Sequence, residues 1–307
     1  MGKTAFLFAG QGAQYPGMGQ SLCECSPAAK ALYDAAEAIR PGTAAQSFAG
    51  TPEELKRTEN TQPCLYLVDL AAALALEEAG VHADAAAGFS LGEIAALAFA
   101  GVYSAEDGFR IVTERGRLMQ QAAEAADTAM CAVVKLDAQT VDRTAKEFPQ
   151  LYAVNFNCPG QTVVSGLRSS MPAFQEQIKA LGGRCIPLAV SAAFHSPFMA
   201  EASAAFGKAR SAYTFSAGRL PVYANLTAKP YAAAQTAETM SAQICSPVRW
   251  QETIENLIAE GFTDFIEVGA GKTLSGLVKK ISADVRIFNA ENAETLADTV
   301  KAVQESC

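Results

Sequence analysis

Apolar and polar positions along the chain follow two different periods. Short apolar runs at 3–9 and 85–89 predict buried strands, whereas the one-sided pattern at 63–79 and the segment 91–100 predict helices. The first run ends at the turn-forming sequence Gly10-Gln11-Gly12. Because strands that alternate with helices are typical of an α/β fold, we expect a mostly parallel sheet.

The segment 128–190 has another order of elements. It predicts strands at 130–136, 153–157, 162–165 and 184–190, and helices at 138–148 and 171–181. This β-α-β-β-α-β order is the ferredoxin-like arrangement. Strand and helix signals resume at 222–226, 254–260 and 264–268. We therefore predict a large α/β domain of residues 1–127 and 191–307, a small ferredoxin-like domain inserted at 128–190, and a site in the cleft between them.

Composition excludes several classes of protein. Of the 307 residues, 50% are hydrophobic and 18% are charged, which is typical of a globular chain and not of a disordered one. The formal net charge of -8 and the absence of a clustered basic stretch argue against nucleic acid as a partner. The most apolar stretch, 85–102, is broken by Gly88, Gly92 and Glu93, so we predict no membrane span.

The eight cysteines form no CxxC pair and have no neighbouring histidine. We expect reduced core thiols, no metal and no assignable role for the terminal Cys307. The apolar run at the start of the chain is too short for a signal peptide, so we expect a cytoplasmic protein.

Candidate chemistry begins at Gly88-Phe89-Ser90-Leu91-Gly92, a G-x-S-x-G sequence between a predicted strand and a predicted helix. In this context the serine stands on a strained turn with its hydroxyl exposed at a helix N-terminus, where negative charge is stabilised. Ser90 is therefore a candidate nucleophile. The alternative is an ordinary serine in a tight βα turn.

A serine nucleophile needs a base, and the chain has two histidines. His82 follows Gly80 in a polar loop and is expected to be solvated. His195 lies where the small domain returns the chain to the large one, so it can face the cleft. A capping or core histidine beside Ser196-Pro197 is the alternative for His195.

A substrate anchor is predicted by the helix at 107–123. Its apolar positions Ile111, Val112, Leu118 and Met119 surround Arg115, which therefore points inward. An inward guanidinium fits a carboxylate bidentately. A structural ion pair with an internal acid is the alternative.

Two glycine-rich segments match no nucleotide-binding motif. Tyr15 stands where a dinucleotide fingerprint starting at Gly10 needs its last glycine, and Ile266 stands where a phosphate loop ending at Gly271-Lys272-Thr273 needs its first. The first loop can instead contribute backbone N–H groups to an oxyanion hole together with Leu91.

Seven ordered motifs resemble the malonyl-CoA:acyl carrier protein transacylases and the acyltransferase domains of polyketide synthases. They cover nearly the whole chain and read FAGQGAQ (8–14), GFSLGE (88–93), RGRLMQ (115–120), VNFNCPGQ (154–161), FHSP (194–197), SPVRW (246–250) and EVGAGK (267–272). The resemblance implies an α/β-hydrolase-like large domain with a ferredoxin-like insert. It also implies malonyl transfer from malonyl-CoA to the phosphopantetheine thiol of acyl carrier protein in fatty acid or polyketide synthesis.

The resemblance implies a role for each matching residue. Ser90 would carry the malonyl ester and His195 would act as base and then acid, while the amides of Gln11 and Leu91 would hold the oxyanion. Arg115 would bind the malonyl carboxylate, and the backbone carbonyl of Arg249 would orient the histidine in place of an aspartate. Neither a cofactor nor a metal is implied.

The chain departs from the family pattern at the residue before the nucleophile. Phe89 stands where most members have histidine, so a hydrogen bond from that site is missing. Phe194 resembles the malonyl-selective members, since its ring leaves little room for an α-methyl group. One methyl group is worth only about 1–3 kcal/mol of discrimination.

Two other functions are weighed against malonyl transfer. One is an acyl-thioester hydrolase of the same superfamily, which an inward Arg115 disfavours when the acyl group is uncharged. The other is an idle subunit that only binds carrier protein, which the intact Ser90, His195 and Arg115 disfavour. We expect a monomer whose anionic partners contact exposed basic residues, the candidates being Lys179, Arg184, Lys272, Lys279 and Lys280.

Overall fold

The computed structural model describes residues 2–190 and 192–305, so Cys307 and the domain boundary predicted at residue 191 lie outside the described residues. The strands are β1 (Lys3–Phe8), β2 (Ala85–Gly88), β3 (Thr128–Val134), β4 (Leu151–Cys158), β5 (Gln161–Leu167), β6 (Arg184–Pro187), β7 (Val222–Tyr223), β8 (Phe262–Val268) and β9 (Arg286–Ala290). The helices are α1 (Gln20–Cys25), α2 (Pro27–Ile39), α3 (Thr43–Ala49), α4 (Pro52–Lys56), α5 (Thr58–Glu78), α6 (Gly92–Phe99), α7 (Ala105–Glu124), α8 (Ala138–Ala145), α9 (Met171–Ala180), α10 (Ala200–Ala209), α11 (Thr236–Gln243), α12 (Trp250–Ala259), α13 (Thr273–Ile281) and α14 (Ala293–Gln304).

Five strands form a parallel sheet in the order β7-β2-β1-β8-β9. Phe6 and Phe8 of β1 belong to the core on one face of this sheet, and Ala5 and Leu7 belong to the core on the other face. All four are 0% exposed. A parallel sheet covered on both faces requires apolar residues at every position, which is why β1 reads as a continuous apolar run.

The strand predicted at 222–226 is shorter in the structure. Only Val222 and Tyr223 pair with β2, because the N–H of Ala224 turns away to the carbonyl of Lys229. Because β7 ends at Tyr223, Asn225 lies outside the sheet.

The helices cover the parallel sheet on both sides. Side chains of α5, α6 and α7 build the core against one face, and those of α12 and α13 build it against the other. The helix α7 begins where predicted to within two residues, because Ser104 caps it by accepting a hydrogen bond from the N–H of Asp107 at 3.0 Å. Within the described ranges, every helix is too short or too polar to span a bilayer.

Residues 128–187 form a second, antiparallel sheet in the order β4-β5-β3-β6. Its elements follow one another as β-α-β-β-α-β, and α8 and α9 cover a small core that includes Val133 and Phe174. The last strand ends at Pro187 instead of residue 190, and one further hydrogen bond, from the N–H of Leu188 to the carbonyl of Met130 at 3.0 Å, follows it.

The second sheet is joined to the large unit along β4. The N–H of Val248 donates to the carbonyl of Val154 at 2.8 Å, and the N–H of Phe156 donates to the carbonyl of Val248 at 2.9 Å. The loop that precedes α12 therefore pairs with β4 and fixes one side of the cleft. The seven cysteines in the described ranges are free thiols.

Candidate active site

Ser90 lies in the turn between β2 and α6, at the carboxyl edge of the parallel sheet. Its φ angle is 55°, in the left-handed region that non-glycine residues rarely adopt. A Cβ atom added at Gly88 would lie 2.0 Å from the carbonyl carbon of Gly92, and one added at Gly92 would lie 2.3 Å from the carbonyl oxygen of Phe8. The structure thus confirms the strand-turn-helix predicted from the G-x-S-x-G sequence, and both glycines are required sterically.

His195 faces the serine. Its Nε2 lies 2.7 Å from Oγ of Ser90, and its Nδ1 lies 3.0 Å from the carbonyl oxygen of Gln243. Because a carbonyl can only accept, Nδ1 carries the proton and Nε2 is free to accept from the serine hydroxyl. Burial, assisted by the charge of Arg115, lowers the pKa of His195 to about 4, so the ring is neutral at neutral pH. His82 is exposed in the loop before β2.

The prediction that the backbone carbonyl of Arg249 orients His195 is wrong, because the carbonyl of Gln243 bonds to the ring. Arg249 is the N-cap residue of α12, and its carbonyl accepts the first hydrogen bond of that helix from the N–H of Thr253. Gln243 is the last residue of α11, where the carbonyls have no partner inside the helix and can accept from outside it. The Arg249 side chain instead forms an ion pair with Glu252.

Arg115 points inward as predicted and is 0% exposed. Its Nη1 donates to Oε1 of Gln62 at 2.7 Å, and its Nη2 donates to Oε1 of Gln243 at 2.8 Å and to Oγ of Ser90 at 3.2 Å. In the part of the chain that the structure describes, these partners are neutral oxygens, and no carboxylate forms an ion pair with Arg115.

The charge of Arg115 is therefore uncompensated at contact distance. Burial lowers the pKa of Arg115 to about 10, against the opposing charge of Glu93, which still leaves the guanidinium protonated at neutral pH. A buried cation beside Ser90, with no contacting anion among the described residues, is suited to binding an anionic group.

Ser90 and His195 line a small cavity of about 80 Å³ together with Gln11, Leu91 and Phe194. Gln11 belongs to the loop after β1, and its Nε2 donates to Oγ1 of Thr58 at 3.2 Å. The volume is far below the roughly 300–1,000 Å³ of pockets for drug-sized ligands, so this cavity suits a short acyl group.

A second cavity of about 210 Å³ continues from the first, with which it shares Gln11, Phe89 and Asn155. It lies between loops of the parallel sheet and strands β4 and β5. Asn155 and Asn157 line it, and the buried Oδ1 atom of each has no hydrogen-bond partner among the residues that the structure describes. Phe89 packs edge-on against Trp250, with ring centroids 5.5 Å apart, so the residue before Ser90 makes an apolar contact.

Sequence reasoning missed four polar residues that surround the candidate nucleophile Ser90: Gln62, Glu93, Asn225 and Gln243. Each is at most 1% exposed. Glu93 carried a usable signal, because a carboxylate inside the apolar run 91–100 must be buried with partners. The other three are single polar residues in segments whose periodicity does not mark them.

At the second glycine-rich segment, a carboxylate of the protein bonds the N–H groups that a phosphate would need. The carboxylate of Glu267 accepts hydrogen bonds from the N–H groups of Leu274 and Ser275 at the start of α13. The N-terminus that a phosphate would need is therefore already bonded. Among residues 2–190 and 192–305, no group of three or more His, Cys, Asp or Glu side chains is placed to hold a metal ion.

The chain is similar to known proteins over nearly all its length. The model of the acyl transferase domain family matches residues 5–298. A malonyl CoA-acyl carrier protein transacylase of Bacillus subtilis is 39% identical, covering 99% of this chain and 98% of the relative. That of Synechocystis is 36% identical over 96% of this chain and 99% of its own.

Solved structures agree with these relatives. A malonyl CoA-acyl carrier protein transacylase of Clostridium perfringens superposes with a TM-score of 0.95 at 33% identity, covering 99% of this chain and 98% of that one. A malonyl-transacylase in complex with a type II polyketide-synthase acyl carrier protein superposes with a TM-score of 0.93 at 32% identity, covering 98% of this chain and 99% of that one.

Proposed function

Since the chain belongs to the acyl transferase domain family, we propose that it transfers malonyl groups from malonyl-CoA to acyl carrier protein through an ester on Ser90. The observation that carries this proposal is that His195 and Arg115 both contact Oγ of Ser90. Oγ of Ser90 lies 2.7 Å from the neutral base His195 and 3.2 Å from the buried cation Arg115. A nucleophile, its base and an anion receptor are what transfer of a carboxylated acyl group requires.

In the first half-reaction, Nε2 of His195 removes the hydroxyl proton while Oγ of Ser90 attacks the thioester carbonyl carbon. Negative charge moves to the carbonyl oxygen, where the N–H groups of Gln11 and Leu91 stabilise it. The carbon–sulfur bond then breaks, and His195 returns the proton to the sulfur of coenzyme A.

The second half-reaction repeats these steps with the carrier protein. His195 removes the proton of the phosphopantetheine thiol while the sulfur attacks the carbonyl carbon of the malonyl ester. The bond between that carbon and Oγ of Ser90 then breaks, and His195 returns the proton to Oγ. Throughout, the fork of Arg115 binds the free carboxylate and places the thioester carbon at Oγ. Phe194 occupies the space that an α-methyl group would need.

The second cavity is the proposed path of the pantetheine arm. Its unpartnered Asn155 and Asn157 oxygens are acceptors for the amide N–H groups of that arm. Lys280 stands at the rim, where its Nζ lies 3.4 Å from Oε1 of the lining residue Gln161. With the exposed Lys272 and Lys279 it provides positive charge for phosphate groups and for an acidic carrier protein. Lys179 on α9 and Arg184 on β6 are also exposed.

We also propose the finer description of the fold, an α/β-hydrolase-like domain with a ferredoxin-like insert at 128–190. It is supported by the β-α-β-β-α-β order and by the sheet order β4-β5-β3-β6. A cytoplasmic location, a monomeric state and independence of any cofactor stay predictions from the sequence.

The test is intact-protein mass spectrometry after incubation with malonyl-CoA. We expect an adduct of malonyl mass that maps to Ser90, that is missing in Ser90→Ala, and that is lost on addition of carrier protein bearing its phosphopantetheine thiol. The lack of any adduct would contradict the acyl-enzyme. Release of free malonate with no malonylated carrier protein would favour the hydrolase instead.

A further inference from the structure

The strained backbone of Ser90 is held by side chains that are remote in the sequence. Its N–H donates to Oδ1 of Asn225 at 2.7 Å, and its carbonyl accepts from Nε2 of Gln243 at 2.8 Å. Nδ2 of Asn225 also donates to the carbonyl of Gly88 at 2.6 Å. The side-chain carboxamide of Asn225 therefore bonds the backbone at Ser90 and again at Gly88. A left-handed conformation at a non-glycine residue persists only when its surroundings fix it in this way.

Asn225 is held in turn by Glu93. The N–H of Asn225 donates to Oε2 of Glu93 at 2.5 Å, and the hydroxyl of Tyr231 donates to Oε1. Glu93 and Asn225 are each 0% exposed. A fully buried carboxylate is costly unless its oxygens are bonded, and here both are. Glu93 stands in the first turn of α6, three residues after Ser90. The hydrogen bonds from Ser90 to Asn225 and from Asn225 to Glu93, together with the backbone between Glu93 and Ser90, therefore form a closed ring.

We propose that Glu93 is a positioning residue for the nucleophile. Through its hydrogen bond to the Asn225 backbone, it holds the Ser90 turn in the conformation that directs Oγ to His195. Nε2 of Gln243 lies 3.4 Å from Oδ1 of Asn225, so the same ring adjoins the residue whose carbonyl orients the histidine. The inference rests on the proposed function only in taking Ser90 as the nucleophile.

The surroundings of Glu93 indicate which substitutions separate its hydrogen bonds from its charge. The titratable groups that face it are Arg115, Tyr103 and Tyr231. Burial raises the pKa of Glu93 to about 7, against the hydrogen bonds from Tyr231 and Asn225 and the charge of Arg115. A neutral side chain of the same shape is therefore tolerated at this site, provided that it still accepts from Asn225.

Two substitutions use this difference. In Glu93→Gln, the amide oxygen can accept from the N–H of Asn225 while the amide nitrogen donates to the oxygen of Tyr231. In Glu93→Met, the volume is nearly kept but both acceptors are lost, which leaves the N–H of Asn225 unpartnered.

The experiment measures how fast Ser90 reacts with a small neutral fluorophosphonate, in which the Oγ–phosphorus bond forms and fluoride leaves. This reagent needs neither malonate, coenzyme A nor carrier protein, so it reports the geometry of Ser90 and His195 alone. We expect Glu93→Met to react about 10- to 100-fold more slowly per folded molecule, and Glu93→Gln to lose about threefold. The matched control is Glu260→Met. This substitution also removes a carboxylate that accepts a hydrogen bond from a tyrosine hydroxyl, that of Tyr223 at 2.6 Å, but it lies away from the site. The rate of Glu260→Met should equal that of the wild type.

The outcomes separate this inference from the proposed function. Wild-type rates in folded Glu93→Met would overturn the positioning role while leaving the nucleophile intact, and a Glu93→Gln rate as slow as that of Glu93→Met would show that charge acts instead of the hydrogen bond. An unreactive Ser90 in the wild type would overturn the nucleophile itself. If Glu93→Met does not fold, Glu93→Asp replaces it: its side chain is one methylene shorter, so a loss of at least about fivefold is expected and an unchanged rate refutes the role.

Discussion

Replacing Arg115 with alanine removes the only cation that the structure places against Ser90 in the described residues. The guanidinium is 0% exposed, and its hydrogen bonds go to Gln62, Gln243 and Ser90. Nε of Arg115 is buried without a partner, and no carboxylate contacts the fork in the described ranges. A malonyl carboxylate would therefore enter a site with strong donors and no competing anion.

The size of the effect follows from that environment. Removing one partner of a buried, hydrogen-bonded charge pair costs about 2–5 kcal/mol. Since each 1.36 kcal/mol is a factor of ten in rate, kcat/KM for malonyl-CoA should fall by about 30- to 5,000-fold. An acetyl group has no carboxylate to bind, so acetyl transfer should hold or rise as the cavity becomes neutral.

The assay is a side-by-side measurement of transfer from malonyl-CoA and acetyl-CoA to one carrier protein. Arg117→Ala is the matched control, because Arg117 lies on the same helix but is exposed and pairs with Glu114. We expect Arg117→Ala to retain both activities. Equal losses on both substrates in Arg115→Ala would refute the role of Arg115 as the carboxylate anchor and would indicate general damage to the Ser90 site.

Three further predictions concern the pH profile, the acyl selectivity and the steric limits of the turn. Because the pKa of His195 is lowered to about 4, the rate of Ser90 phosphonylation should stay level as pH falls through 6.5 and halve only near pH 4; an acidic limb near 6.5 that persists in Glu93→Gln would contradict this. Phe194→Ser should raise methylmalonyl transfer relative to malonyl transfer by about tenfold or more in a competition assay, and an unchanged ratio would remove Phe194 from the selectivity pocket. Gly88→Ala, whose Cβ overlaps the α6 backbone, should lower the free energy of unfolding by at least about 3 kcal/mol in urea titrations, whereas Gly276→Ala, which meets open space on α13, should raise it by about 0.4–1 kcal/mol.

The architecture was predictable where local patterns decide it. The apolar run of β1, the glycine pair around Ser90 and the inward face of α7 each depend on residues close together in the sequence, and the structure confirms all three. The element order of 128–190 was predictable for the same reason. The ends of strands were less so, since β7 stops where Ala224 finds a partner outside the sheet.

The surroundings of Ser90 were not predictable in this way. Asn225 and Gln243 reach Ser90 across 135 and 153 residues of sequence, and nothing in the local pattern of either segment marks a partner at that distance. The error at Arg249 has the same origin. A motif identified the right neighbourhood, but which carbonyl is free depends on where α11 ends and α12 begins.

The separation of Ser90 from His195 has a consequence for the order in which the protein matures. The two residues are 105 positions apart, and the whole second sheet is synthesised between them. The turn that contains Ser90 leaves the ribosome first, His195 follows only after the second sheet, and β8, which pairs with β1, comes later still. A nascent chain that ends before His195 therefore exposes Ser90 without the ring that contacts it in the folded protein, and reactivity at Ser90 should arise only once contacts that span 105 residues or more have formed. The rate at which Ser90 gains reactivity during refolding is thus a measure of how fast these long-range contacts around Ser90 form.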